Sequence, residues 1–256
     1  MIKEESRFTA STVFEGMTSI RAVLDNLKDR KPNARNIEKL LYDGAKAKSK
    51  HKEIGYLKKM GEIFSFPVEE STDEAISSLA VGNSHGGIIA LCKEKSYSYL
   101  KDSDIKENGF YAMIEGIEDP SNFGYALRSI YAAGVDGIIL SERNWLSAAG
   151  VVCRSSAGAS ERADIYIASD NFISLFRQKG YKIICADIKN SVSVYDADLK
   201  KPIFLIVGGE KRGISSSLLT QADQIVRIDY GRSFDAALSA ASASTIIAFE
   251  IFKQNR

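Results

Sequence analysis

The most constraining feature of the chain is a rhythm that begins near residue 111. Six short apolar runs, at 111–114, 137–140, 165–168, 182–186, 203–207 and 225–228, are rich in β-branched residues. Helical stretches at 125–133, 171–179 and 240–253 lie between or after them. Strands that read as continuous apolar runs are buried on both faces, and their alternation with helices predicts a mainly parallel sheet with helices on both sides. An α/β domain of this kind binds ligands at the carboxyl ends of its strands, where loops lead into helices.

The first hundred residues read differently. Ile37, Leu40, Leu41 and Ala45 fall at helical spacing, with Lys39, Lys46 and Lys48 on other faces, which predicts a helix there. After Gly61 the stretch 62–68 reads as extended. Ser71 or Thr72 is placed to cap a helix through Leu79, and Gly86-Gly87 opens an apolar strand at 88–92. The charged stretch 101–109 lacks an apolar face and ends in Asn108-Gly109, a turn signal, so it reads as a linker. Two domains are expected, 1–105 and 108–256.

Composition narrows the function classes. No apolar run approaches the roughly 18 residues of a membrane span, and the start, MIKEESRFTAS, lacks the apolar core of a secretory signal. Cys92, Cys153 and Cys185 are odd in number and never form a CxxC pair; with only His51 and His85 beside them, they point to a reducing cytoplasm and to no metal site. Net charge is only +1, yet between Arg21 and Lys59 twelve Lys/Arg stand against five Asp/Glu, whereas from Asn108 onward the count is sixteen against sixteen. A basic stretch confined to the first domain suits a phosphate backbone, and equally a solvated helix face.

Three segments of the second domain carry the chemistry. Asp119-Pro120-Ser121-Asn122-Phe123-Gly124 follows a strand and leads toward Arg128, whose planar fork of donors can hold a phosphate. Gly208-Gly209-Glu210-Lys211-Arg212-Gly213 again follows a strand; it has neither GxGxxG spacing nor a P-loop ending, and a glutamate inside it would repel a pyrophosphate. It suits a ligand without phosphate, such as an adenosine moiety. The third segment runs from Val226 through Ile228-Asp229-Tyr230-Gly231 to the small-residue run 236–244.

In this order and spacing the three segments resemble the SpoU-type RNA methyltransferases of the SPOUT superfamily, with their DPxNxGxxxR and GxExxG loops. Ser156-Ala157-Gly158-Ala159 is similar to the small-residue stretch the family carries between them. More weakly, Glu15-Gly16, the basic helices and Ser84-His85-Gly86-Gly87 resemble the family's α+β substrate domain, which is similar to ribosomal protein L30e; position 86 departs from the usual His-Gln-Gly. The resemblance implies a deep trefoil knot in the second domain, an exception to the rule against threaded chains. It also implies S-adenosylmethionine as cofactor, an RNA substrate (ribosomal rather than transfer RNA) and a homodimer formed across the knotted domain. By the same likeness Gly208, Gly209, Gly213, Ile228, Leu238 and Ser239 would line the cofactor, chiefly through backbone groups. Asn122, Arg128 and Glu210 match the family's active-site positions. Arg35, Lys46, Lys48, Lys50, Lys52 and His85 would meet RNA.

The third segment departs from the family pattern. Aligned without gaps, the family's Ser-Leu-Asn falls on Ala237-Leu238-Ser239, and the usual proline after Ile228 is Asp229. The implied reaction is methyl transfer to a ribose 2'-hydroxyl. Arg128, too weak a base alone, would orient the nucleotide with help from the substrate's phosphate, while Glu210 holds the loop or Arg128 in place. Two rival readings are a Rossmann-type nucleotide enzyme and a non-catalytic RNA-binding protein that kept the knot.

Overall fold

The computed structural model describes residues 12–82, 85–141 and 148–256. In chain order the elements run β1 (Val13–Glu15), α1 (Gly16–Lys28), β2 (Ile37–Asp43), α2 (His51–Phe64), β3 (Val68–Ser71), α3 (Asp73–Leu79) and β4 (Ile88–Cys92). Then come β5 (Phe110–Glu115), α4 (Pro120–Ala132), β6 (Gly137–Leu140), α5 (Ala149–Ser155), α6 (Ala159–Arg162) and β7 (Ile165–Ile167). The remainder is α7 (Phe172–Gln178), β8 (Lys182–Ala186), β9 (Val192–Ser193), β10 (Ile203–Gly208), α8 (Ser216–Leu219), β11 (Gln224–Arg227) and α9 (Ala240–Gln254).

The chain forms two compact units. One holds the described residues to Ser96 together with 148–162; the other holds 97–141 and 163–256. This differs from a contiguous division at residues 105 to 108 in two respects. The stretch 101–109, read above as a linker, is tied into the second unit: Tyr111 Oη donates to Asp104 O at 2.7 Å, Tyr181 Oη donates to Lys106 O at 2.7 Å, and Gly109 N–H donates to Tyr181 Oη at 2.9 Å. Helices α5 and α6, which lie between two strands of the second unit, pack with the first. There Cys153 joins the apolar core, and Gly158 sits so close to Ala22 that a side chain at 158 would collide with it.

The first unit is a four-stranded sheet in the order β1-β4-β2-β3, with only β2 and β3 parallel. Phe14, Ile20, Val23, Leu24, Leu40 and Leu57 form the core on one face, while Val13, Leu41, Ile76 and Ile89 form a smaller cluster. The helix expected around Leu40 is instead strand β2. Its neighbours Leu40 and Leu41 belong to different clusters, which is the two-fold alternation of a strand buried on both sides. The helical spacing of 37, 40, 41 and 45 was a coincidence of a short apolar run, which periodicity cannot assign alone. Likewise 62–68 is not extended throughout. Helix α2 runs to Phe64, and Ser65 ends it at φ 58°, the left-handed conformation that stops helices. Thr72 caps α3 as expected, its Oγ1 accepting from Ala75 N–H at 3.2 Å.

The second unit is a seven-stranded, all-parallel sheet in the order β7-β6-β5-β10-β8-β11-β9. Tyr111, Met113, Ile183, Cys185, Phe204 and Ile206 build the core on one face, where Phe176 stacks on Phe204 at 4.2 Å. Helix α4 begins at Pro120, earlier than the apolar period suggests, because Asp119 caps it through a 2.7 Å bond from Asn122 N–H and proline suits the first helical position. Helices α4 and α9 pack on each other, with Thr245 Oγ1 donating to Ser129 Oγ at 2.7 Å. From β5 the chain moves through β6 and β7 toward one edge, while β8, β11 and β9 occupy the other. Strand β10 sits where the direction reverses, the place where a parallel sheet leaves a crevice for a ligand.

Candidate functional site

A cavity of about 240 Å³ opens at that crevice. Its wall comes from the ends of β8 (Asp187, Ile188), β10 (Gly208) and β11 (Arg227, Ile228), from Tyr230 and Leu238, and from the first turns of α9. Gly209, Glu210 and Gly213 complete it from the loop after β10.

Backbone bonds fix that loop. Gly209 N–H donates to Glu115 O at 2.7 Å, Gly213 N–H returns to Gly209 O at 2.9 Å, and Ser215 N–H reaches Glu115 Oε2 at 2.8 Å. The glycines at 208 and 209 are sterically required. A Cβ on Gly208 would lie 2.5 Å from Ile214 N, and one on Gly209 would lie 2.5 Å from Gly116 C. Gly213 adopts φ +63°, where L side chains are strained. The loop therefore lies flat against the end of β5 and leaves the cavity open.

Glu210 lines the cavity and also accepts the Ala240 N–H at 3.1 Å, so its carboxylate sits at the positive end of α9. Ser239 caps the same helix by accepting from Ser242 N–H at 3.1 Å, and it stands between the lining residues Leu238 and Ala240 without lining the cavity itself. Leu238 lines the cavity, and its N–H donates to Tyr230 Oη at 3.1 Å and is not left for a ligand. Arg227, the one cation among the described wall residues, is held by Asp229 at 2.8 Å and by Ser191 O. The Ser193 hydroxyl and that guanidinium keep the Asp229 carboxyl below its ordinary range.

The wall is small and apolar, with two carboxylates, Asp187 and Glu210, and its arginine already paired. This donor set accepts hydrogen bonds from hydroxyl and ammonium groups and favours positive charge, while it repels a pyrophosphate. By its charges the set suits an adenosine carrying a sulfonium better than a pyrophosphate-bearing dinucleotide. Asp187, Ile188 and Tyr230 were missed by sequence reasoning. The first two could have been found from the rule that ligands sit beyond strand ends, since 182–186 reads as a strand.

Asn122 and Arg128 do not line the cavity. Asn122 lies half-buried in the first turn of α4, and Arg128 is exposed further along it, with no hydrogen bond or ion pair among the described residues. Within the loop, Lys211 pairs with Glu118 at 2.8 Å, which raises the lysine's pKa. The thiols are poor nucleophiles: burial pushes Cys153 and Cys185 up to about 12 and raises Cys92 as well.

In the first unit the expected RNA contacts divide. Arg35 is 2% exposed, bonded to Glu161 at 3.1 Å and to Lys93 O at 3.0 Å, and stacked over Phe14; it is an internal ion pair with no face for RNA. His85 is also buried, its Nδ1 accepting from Gly87 N–H at 3.0 Å; Ser84 lies outside the described residues. Lys46 is held by Asp73 at 2.8 Å and by Asp43 at 3.3 Å. Lys48 and Lys52 are exposed, and Lys50 is half-buried beside Gly86.

Comparison with known proteins agrees with this geometry. The profile of the SpoU rRNA Methylase family matches residues 109–249. The chain is 26% identical over 206 residues to a 23S rRNA (guanosine-2'-O-)-methyltransferase of Shewanella oneidensis, covering 77% of this chain and 82% of that protein. Among solved structures, an AdoMet-bound rRNA methyltransferase from Sinorhizobium meliloti has a TM-score of 0.76 at 24% identity, covering 94% of this chain and 87% of that one. The SpoU methyltransferase AviRb from Streptomyces viridochromogenes, in complex with AdoMet, has a TM-score of 0.75 at 21% identity, over 95% and 91% of the two chains.

Proposed function

This chain belongs to the SpoU rRNA Methylase family, and from that premise we propose that it transfers a methyl group from S-adenosylmethionine to a ribose 2'-hydroxyl of RNA. The observation that carries the reading is the cavity after β10, shaped by glycines that admit no side chain and walled by two carboxylates, its one described cation already paired. Bound there, S-adenosylmethionine would supply a methyl group on a positively charged sulfur.

The chain's own residues then have distinct tasks. Gly208 and Gly209 let the loop pack against neighbouring backbone and so wall the adenosine site, and Asp187 and Glu210 accept the adenosine's polar hydrogens. Glu210 also locks the first turn of α9, so the wall cannot drift when RNA arrives. Arg128, exposed and unpaired among the described residues, grips a phosphate and aligns the neighbouring hydroxyl with the methyl group. Holding reactants in line can remove several kcal/mol of barrier. Asn122, in the first turn of the same helix, shares that positioning role.

Ribosomal RNA is the proposed substrate class, in keeping with the family and with the Shewanella relative. Lys48, Lys50 and Lys52 are the proposed backbone contacts in the first unit. A homodimer through the second unit belongs to the same reading. Tyr125 on α4 and Phe249 and Phe252 on α9 support it, being 51%, 44% and 45% exposed on two helices that pack together. So do a trefoil knot made by the C-terminal segment and a setting in a reducing cytoplasm, the latter supported by three free buried cysteines.

Calorimetry on the full chain tests the cofactor assignment. Micromolar binding of S-adenosylmethionine with none of NAD is expected. Tight NAD binding without S-adenosylmethionine binding would overturn the reading in favour of a nucleotide enzyme.

A further inference from the structure

The segment joining β11 to α9, residues 228–239, forms neither helix nor strand, and every residue from Tyr230 to Ala237 is exposed. It nevertheless carries two aromatic side chains. Tyr230 and Phe234 are 40% and 58% exposed, with ring centroids 6.1 Å apart and planes tilted by 54°. Tyr230 forms part of the cavity wall, and its hydroxyl is fixed by the Leu238 N–H at 3.1 Å. Phe234 lies outside the wall. Arg232, between them in sequence, is exposed and has no hydrogen bond or ion pair among the described residues.

The fold gains little from a phenylalanine left 58% exposed on a solvated loop. Aromatic faces beside an arginine are, however, what single-stranded RNA sites use. Bases of any sequence stack on the rings, and the guanidinium takes a phosphate or another base. We propose that Tyr230 and Phe234 form a platform on which an unpaired base of the RNA substrate stacks at the mouth of the cofactor cavity, with Arg232 holding an adjoining phosphate. The proposal rests on the methyltransferase reading and adds to it the residues that seat the substrate's base.

Two other occupants fit less well. The cofactor is disfavoured because Phe234 is off the cavity wall and Arg232 would repel a sulfonium. A second copy of the chain is disfavoured because Gly231, Arg232, Ser233 and Asp235 interrupt the apolar surface, whereas α4 and α9 offer a larger aromatic face.

The test uses the full chain and a short single-stranded RNA carrying 2-aminopurine, whose fluorescence is quenched on stacking. Quenching by the wild-type protein is expected, with Phe234→Ala raising the dissociation constant about tenfold and Phe234→Trp restoring it. Affinity for S-adenosylmethionine and sedimentation behaviour should be the same in all three. No quenching, or equal affinity in Phe234→Ala, would overturn the platform. A parallel loss of S-adenosylmethionine affinity would instead make the pair a cofactor lid, and a change in oligomeric state would make it an interface; either result overturns the proposal. Methyl transfer by the wild type is scored separately. Transfer without quenching removes only the platform, whereas binding of the probe without transfer removes the enzymatic reading.

Discussion

The two units of this chain use charge in opposite ways. In the first, the segment 148–162 is fastened by charges removed from water. The side chains of Glu161 and Arg35 are both about 1% exposed and bonded at 3.1 Å, Lys95 lies 3.9 Å from the same carboxylate, and Arg154 pairs with Glu15. In the second, the cavity is made by glycines and backbone bonds, and charges such as Arg128, Lys211 and Arg212 stand at the surface. The first unit thus hides a charge cluster in its core, whereas the charges around the second unit's cavity and loop are partly exposed pairs or stand alone in water. The basic excess between Arg21 and Lys59 therefore overstates what the first unit can offer to RNA, since part of it is already engaged inside.

Breaking the buried pair should give the largest effect. Glu161→Ala leaves Arg35 uncompensated in the core, and a loss of about 3–5 kcal/mol is expected in denaturant unfolding. Calorimetry should show unchanged S-adenosylmethionine affinity, because the cavity is built without this segment. A loss below about 1 kcal/mol would mean that the two units do not differ as described.

Gly209→Ala attacks the other unit by sterics alone. Its Cβ would meet Gly116 and Ile117 backbone at 2.5 and 2.8 Å, so about 1–3 kcal/mol of destabilisation is expected, with cofactor affinity reduced at least tenfold. Gly231→Ala is the matched control: nothing lies within 4 Å of the added carbon, and a change within about 0.5 kcal/mol is expected by thermal unfolding. Equal effects of the two substitutions would remove the steric argument for the loop.

The smallest effect sharpens the charge comparison. Replacing Lys48, Lys50 and Lys52 by glutamine should leave stability nearly unchanged. It should also flatten the salt dependence of RNA binding, by about one in slope for each phosphate that a lysine no longer neutralises. Filter-binding titrations at several salt concentrations measure this. An unchanged slope would assign the lysines to a solvated face.

What sequence could and could not reveal follows the same division. The parallel sheet was legible because fully buried strands leave continuous apolar runs, and 137–140 and 182–186 matched to the residue. The loop at Gly208–Gly213 was legible because backbone proximity demands glycine whatever the fold around it. By contrast, β2 was misread as a helix because a short apolar run carries no unambiguous period. Arg35 and His85 were misread as RNA contacts because a sequence shows that a residue is charged or polar but not that Glu161 or Gly87 has already claimed it. The attachment of α5 and α6 to the first unit was invisible for the same reason: it depends on partners more than a hundred residues away, such as Glu15 for Arg154 and Arg35 for Glu161.

The most direct measurement follows the methyl group itself. The full chain is incubated with labelled S-adenosylmethionine and unmodified ribosomal RNA, and the product is hydrolysed with alkali. A methyl on a 2'-oxygen removes the nucleophile that alkali needs, so the account predicts label in an alkali-resistant dinucleotide. Arg128→Ala should lower the yield at least about a hundredfold while still binding the cofactor. Label released on single nucleotides, as from a methylated base, or no transfer by a protein that binds S-adenosylmethionine, would contradict it.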